Sequence, residues 1–82
     1  MAQIIASNSY IKSIKRLTKS ENKRIQTIIK KIIDDPEIGK PLKYRMGERV
    51  VRIKPYRLVY YYSRGEDMLY LLRFEHRKKA YE

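Results

Sequence analysis

The apolar positions of this 82-residue chain change their spacing near its middle. Tyr10, Ile11, Ile14 and Leu17 recur at intervals that line one helical face, while Lys12, Lys15, Arg16 and Lys19 point elsewhere. Ile25, Ile28, Ile29, Ile32 and Ile33 make a second stripe of the same kind, flanked by Lys23, Arg24, Lys30 and Lys31. Two amphipathic helices are predicted. Thr18-Lys19-Ser20-Glu21 fits a capping box at the start of the second helix, with Ser20 as a competing cap. Asp34-Asp35-Pro36 ends that helix, because a residue before proline is pushed out of the α region and carboxylates sit badly at the negative end of the helix dipole. Ahead of both helices, Gln3-Ile4-Ile5-Ala6 reads as a short strand that leads into Ser7 and Asn8, either of which can cap a helix.

Beyond Leu42 the period drops towards two. Arg49 to Lys54, Tyr56 to Tyr62 and Met68 to Phe74 are rich in β-branched and aromatic residues, which predicts strands. Pro55 marks a tight connection between the first two, and Ser63-Arg64-Gly65-Glu66-Asp67 a hairpin turn, so neighbouring strands run antiparallel. Glu37 to Pro41 is a connecting loop; Gly47-Glu48 can form one more turn, making Lys43 to Met46 a short extra strand. The expected architecture is α+β: an N-terminal strand, a helical hairpin, then a three- to four-stranded antiparallel sheet with the helices on one face. The other face is open. It collects some of Arg52, Lys54, Arg57, Tyr61 and Arg73, with the register left undecided by sequence.

The length suits one small domain over residues 1–82, with too little volume for two cores. No cysteine is present, so disulfides, thiolate metal sites and cysteine nucleophiles are excluded and a reducing cytosol is the natural compartment. No stretch approaches the ~20 apolar residues a bilayer-spanning helix needs. Charge sharpens the picture further: 20 Lys+Arg against 9 Asp+Glu give a net charge of +11, a field that attracts polyanions. Nucleic acid is the expected partner, ahead of a membrane surface; a small acidic protein fits the charge equally well.

Familiar catalytic constellations are missing: there is no Gly-rich phosphate loop, no closely spaced metal-ligand set and no serine with a local histidine base. Asp34 and Asp35 read as helix-end residues, since one carboxylate pair without a third ligand does not make a metal site. No metal or cofactor is expected. What remains is a cationic set interleaved with aromatics. Cleaving RNA without a metal takes a base for the 2′-hydroxyl proton, a cation for the scissile phosphate and an acid for the leaving oxygen. Arginine, histidine and tyrosine supply these functions, and all three types occur here. The plain alternative is that Arg52, Lys54 and Arg57 are solvated strand residues, that His76 ends a strand, and that Tyr81 lies in a frayed terminus.

Arg52-Ile53-Lys54-Pro55-Tyr56-Arg57-Leu58-Val59-Tyr60 resembles the strand-turn-strand signature R-I-x-x-Y-R-[LV]-[VI]-Y of RelE-type toxins in the RelE/ParE superfamily. Glu75-His76-Arg77-Lys78-Lys79-Ala80-Tyr81 resembles their terminal x-H-R-x-x-x-Y, and the helical hairpin matches in order and length. The resemblance implies a ribosome-dependent mRNA endoribonuclease that acts in the ribosomal A site without metal and is held inactive by a cognate acidic, helical RelB-like antitoxin in a hetero-oligomer. It implies that Arg52 and Arg57 neutralise the scissile phosphate. Arg77 and His76 would supply the leaving-group proton or stabilise the transition state, Tyr81 would orient the substrate nucleotide, and Arg49, Lys54, Arg73, Lys78 and Lys79 would contact RNA. Two departures from the family pattern bear on the base: Val50 stands where a second cation is common, and Arg49 and Lys54 are out of phase with Arg52 unless the strand is bulged. His76 or Lys54 is then the chemically better proton carrier, because arginine stays protonated. A ParE-like toxin acting on DNA gyrase would share the fold without needing the His/Arg/Tyr set, and a non-catalytic RNA- or ribosome-binding domain needs only the charge.

Overall fold

The computed structural model describes residues 3–42 and 47–76. Strand β1 (Gln3–Ala6) leads into helix α1 (Asn8–Ile14) and helix α2 (Lys19–Asp34). Strands β2 (Lys40–Pro41), β3 (Glu48–Ile53), β4 (Tyr56–Ser63) and β5 (Met68–His76) follow. They form one five-stranded sheet in the order β1-β5-β4-β3-β2, in which β2 to β5 are antiparallel neighbours and β1 runs parallel to β5. The α+β class is as expected, while the N-terminal strand closes one edge of the sheet beside the last strand in sequence. The fourth antiparallel strand is Lys40–Pro41, inside the segment expected to be a loop. The proposed strand at Lys43 to Met46 lies outside the described residues.

The helix ends obey local chemistry. Ser7 caps α1, its Oγ accepting the Tyr10 N–H at 3.1 Å and donating to the Leu72 carbonyl at 2.6 Å, so one hydroxyl starts the helix and ties it to β5. At α2 the capping box is complete: the Glu21 N–H donates to Thr18 Oγ1 at 3.2 Å, and the Thr18 N–H to the Glu21 carboxylate at 3.0 Å. Those bonds, the backbone one foremost, hold the Glu21 carboxyl below the usual carboxylate range. Thr18→Ala should therefore destabilise the domain by about 1 kcal/mol, a fall in Tm of roughly 4–8 °C in thermal unfolding. A group with a depressed folded pKa stabilises only while ionised. The Glu21 contribution is thus lost as pH falls through its lowered value, and the Thr18→Ala protein should show a shallower acid dependence there.

Ile25, Ile29 and Ile32 are buried, with Ile28 and Ile33 packed at the margin, as the stripe requires. With Tyr10 of α1 they meet Ile53 of β3, Leu58 and Tyr60 of β4, and Leu69, Leu71 and Phe74 of β5. Each fully buried aliphatic side chain contributes roughly 1.5–3 kcal/mol. One irregularity shapes the opposite surface. The β4–β5 register passes from Val59↔Arg73 to Tyr60↔Leu71, so Leu72 is an extra residue on β5. This bulge lets Leu69 and Leu71 share the helix-covered face with Phe74, and turns Tyr70 and Arg73 together to the other side.

Candidate nucleic-acid interface

Residues directly opposite each other in a sheet project from the same face, so the register sorts the predicted site residues. Three rows cross the face away from the helices: Arg52–Arg57–Glu75, then Lys40–Val50–Val59–Arg73, then Glu48–Tyr61–Tyr70–Ile5. Arginines thus occupy one end of the open face and tyrosines the other. Between them Arg73 ties the strands together, its Nε donating to Glu75 at 2.9 Å and its Nη2 to Glu48 at 3.3 Å. With 29% of its side chain exposed and both acids attached, Arg73 holds the face together and has little left to offer an RNA phosphate.

That ion-pair triad engages both acids, Glu75 of the first row included. Arg52 and Arg57 stand opposite each other, and among the described residues neither enters an ion pair. Arg57 Nε is buried without a hydrogen-bond partner among the described residues, although its row neighbour is Glu75, whose carboxylate is turned to Arg73. Like charges in register repel, and an orphaned buried donor costs about 1–3 kcal/mol. An anion seated on this row relieves the repulsion between the two guanidinium groups.

Two expected contacts are placed elsewhere. The β3 register runs without a bulge from Glu48 to Ile53, so Arg49 lies on the helix-covered face. There its guanidinium donates to the Gly39 carbonyl at 2.8 Å and the Glu37 carbonyl at 3.2 Å, bracing the loop after α2 in place of binding RNA. His76 is the second. It pairs with Tyr56, whose ring packs on Phe74 with centroids 4.8 Å apart and meets the His76 imidazole edge-on at 5.5 Å. Strand alternation therefore sends His76 to the face opposite Arg52 and Arg57, one row beyond them at the end of the sheet. Burial first, then the nearby Glu21 charge, raises the Tyr56 hydroxyl above the ordinary tyrosine range, so it stays protonated at neutral pH.

Lys54 is exposed in the β3–β4 turn. With Arg52 it lines a shallow groove over Ile53 whose far wall is Arg24, Thr27 and Ile28 of α2. Arg24 is a cation outside the predicted set; it lies off the apolar stripe of α2, and its nearness to the β3 end depends on how the helix docks. Arg77, Lys78, Lys79 and Tyr81 lie outside the described residues. No group of three or more histidines, cysteines or carboxylates that could hold a metal occurs among the described residues. No helix there is long and apolar enough to cross a membrane.

Several solved structures share this architecture. The toxin–antitoxin complex RelBE of E. coli matches with a TM-score of 0.83 over 93% of this chain and 96% of that one, at 14% identity. The RelB–RelE complex of Methanococcus jannaschii matches with a TM-score of 0.75 over 94% of each chain, at 21% identity. The DinJ–YafQ complex of E. coli matches with 0.78 over 100% of both chains, at 15% identity. At such identities the likeness is one of fold. No curated protein sequence gives a significant match. The family model for the ParE toxin of the type II toxin-antitoxin system parDE matches residues 4–81, nearly the whole chain. Sequence and fold together show that the chain belongs to the ParE toxin family of type II toxin–antitoxin systems, within the RelE/ParE superfamily.

Proposed function

We propose that this toxin is a ribosome-dependent mRNA endoribonuclease that arrests translation and is held inactive by a cognate acidic, helical antitoxin. The observation that carries the reading is the Arg52–Arg57 row: two cations in register on an open sheet face, one with a buried donor unsatisfied. This arrangement suits a phosphodiester whose charge builds as it reacts. In the proposed reaction the 2′-hydroxyl loses its proton to a base and its oxygen attacks the adjacent phosphorus. The P–O5′ bond breaks, leaving a 2′,3′-cyclic phosphate, and the departing 5′ oxygen takes up a proton. Arg57 and Arg52 hold the non-bridging oxygens through that step. His76 projects to the other face, so proton transfer is assigned to Lys54, with Arg77 stabilising the charge on the departing oxygen, Tyr81 against the substrate nucleotide and Lys78 and Lys79 drawing in the RNA. The solved neighbours RelBE and RelB–RelE are complexes with antitoxins, which supports a hetero-oligomer here, and the +11 charge suits an acidic partner.

A second reading has its own support: the matching family is described by its ParE toxin, so a toxin acting on DNA gyrase is the alternative. The two part cleanly in one experiment. Expression without antitoxin should give codon-phased cuts in translated mRNA, mapped by primer extension, with gyrase–DNA complexes at background. Intact mRNA with trapped gyrase on DNA would transfer the assignment to the gyrase reading. Neither effect would leave a non-catalytic RNA- or ribosome-binding domain.

A further inference from the structure

The third row of the open face has no part in that chemistry. Tyr61 and Tyr70 lie side by side across β4 and β5, ring centroids 5.8 Å apart and tilted by 30°. Ile5 extends the row on β1. Tyr61 is 37% exposed and Ile5 39%, on a face whose other central residue, Val59, is fully buried. The Tyr61 ring, Tyr70, Leu72 and Glu48 enclose a shallow depression. The ring is also held in place from the turn residue just before β3. A Cβ at Gly47, whose φ of +81° already favours glycine, would stand 2.6 Å from a Tyr61 ring carbon. At the outer end, the Tyr70 hydroxyl donates to Glu66 at 3.2 Å, fixing its ring from the hairpin turn. A rigid, partly exposed aromatic pair in a strongly basic protein is an unusual way to finish a solvated surface.

Its position relative to the arginines gives it meaning. Arg57 and Tyr61 are four residues apart on one strand, roughly 13 Å at the usual rise, and both project from the open face. That distance falls within the few nucleotides that a single-stranded-RNA-binding face spans. We infer that Tyr61 and Tyr70 form a base-stacking platform for single-stranded RNA, receiving a base a short way along the strand from the phosphate held by Arg52 and Arg57. The inference rests on the RNA reading proposed above. Aromatic rings on a sheet bind bases in a sequence-tolerant way because every base has a π-face, whereas the arginines supply attraction without register. The platform therefore sets how the strand lies on the sheet. Glu48 belongs to the same row but is engaged by Arg73, which lowers its repulsion of a phosphate nearby.

The test measures fluorescence anisotropy of a labelled, unstructured oligoribonucleotide carrying 2′-O-methyl groups, which cannot be cut by 2′-hydroxyl attack. The wild-type chain is compared with Tyr61→Leu, Tyr61→Phe, Tyr70→Leu and Arg57→Ala across a salt series, with thermal melts as folding controls. Tyr61→Leu should weaken binding roughly five- to a hundredfold, with the salt slope unchanged, and Tyr61→Phe should bind like wild type. Arg57→Ala should instead reduce the salt slope by about one. Replacing bases of the oligonucleotide by abasic sites should reproduce the Tyr61→Leu loss in wild type and add nothing to it in the variant. Unchanged affinity for Tyr61→Leu and Tyr70→Leu while Arg57→Ala weakens would overturn the platform and leave the phosphate site standing. Loss of antitoxin binding with RNA binding intact would make the row a protein-docking surface and also overturn it. A wild-type chain that fails to bind the RNA at all would remove the RNA reading and the platform with it.

Discussion

Arg57→Ala is expected to abolish toxicity while leaving the domain as stable as the wild type, or more so. Loss of a single preorganised donor to a developing oxyanion lowers rate by about 10²- to 10³-fold, and Arg57 is the half-buried member of the arginine row. Stability moves the other way for reasons visible in the structure. The Arg57 Nε has no partner to lose, and truncation removes a like charge that sits in register with Arg52. Some packing over the sheet is lost with the aliphatic stem, so the net change should stay within about 1 kcal/mol. Arg57→Lys should fall between, since it keeps the charge and loses the planar fork that grips two oxygens. Growth after induction, primer extension on a translated message and a thermal melt check all three quantities together. A toxic Arg57→Ala protein that still cuts mRNA would dismiss the arginine row as the phosphate site; a non-toxic one that melts far below wild type would reduce Arg57 to a structural residue.

Much of this was written locally in the chain. The Thr18–Glu21 box and the isoleucine stripe of α2 are short-range patterns, and the structure keeps both. The placement of β1 was not legible, because a parallel strand finds its partner across 65 residues, here Gln3 against Met68, and no turn links them. The face of each site residue was hidden by two details of register. β3 is unbulged, which removes Arg49 from the interface, and β5 carries its extra residue at Leu72, which sets Tyr70 beside Tyr61. A reader of the sequence could have suspected that bulge, because Leu69 and Leu71 are out of step with Phe74 for a single buried face. His76 illustrates the limit differently. Its neighbours in sequence suggested a cluster of proton-handling groups, but its register opposite Tyr56 puts its own side chain on the face away from Arg52 and Arg57.

The same register divides the strand-turn-strand signature into two kinds of residue. Arg52 and Arg57 are unexplained by packing, whereas Ile53, Leu58 and Tyr60 are buried in the core and Tyr56 packs against it. Tyr60 is more than filler. Its hydroxyl donates to the Pro36 carbonyl at 2.6 Å and accepts the Gly39 N–H at 3.0 Å, so one fully buried side chain satisfies the backbone of the loop between α2 and β2. Burial raises its pKa above the ordinary tyrosine range.

Tyr60→Phe should accordingly cost about 1–3 kcal/mol by leaving that carbonyl and N–H unpartnered, and Tyr60→Ala about 3–5 kcal/mol or more by adding a cavity. For a domain of this size, whose whole stability is on the order of 4–12 kcal/mol, the second change brings the chain close to unfolding at 37 °C. Gly39→Ala attacks the same contact from the loop side: its Cβ would stand 2.9 Å from both the Tyr60 ring and hydroxyl, and 3.0 Å from the Val50 carbonyl. Since the two substitutions damage one contact, the double variant should lose less than the sum of the singles in urea unfolding. A raised tyrosine pKa contributes stability that is complete below the unfolded value, near 10, and is lost as pH rises through the folded one. Tyr60→Phe should therefore flatten the alkaline limb of the stability curve. Toxicity will fall in these variants too, but through the fraction of chain that is folded: at low temperature the cleavage rate per folded molecule should match wild type. Arg57→Ala reverses that pattern, with a full complement of folded protein and no cleavage. Signature residues that fail in these two opposite ways separate the scaffold from the chemistry, and a Tyr60→Phe protein that stayed fully stable yet lost its per-molecule activity would contradict the division.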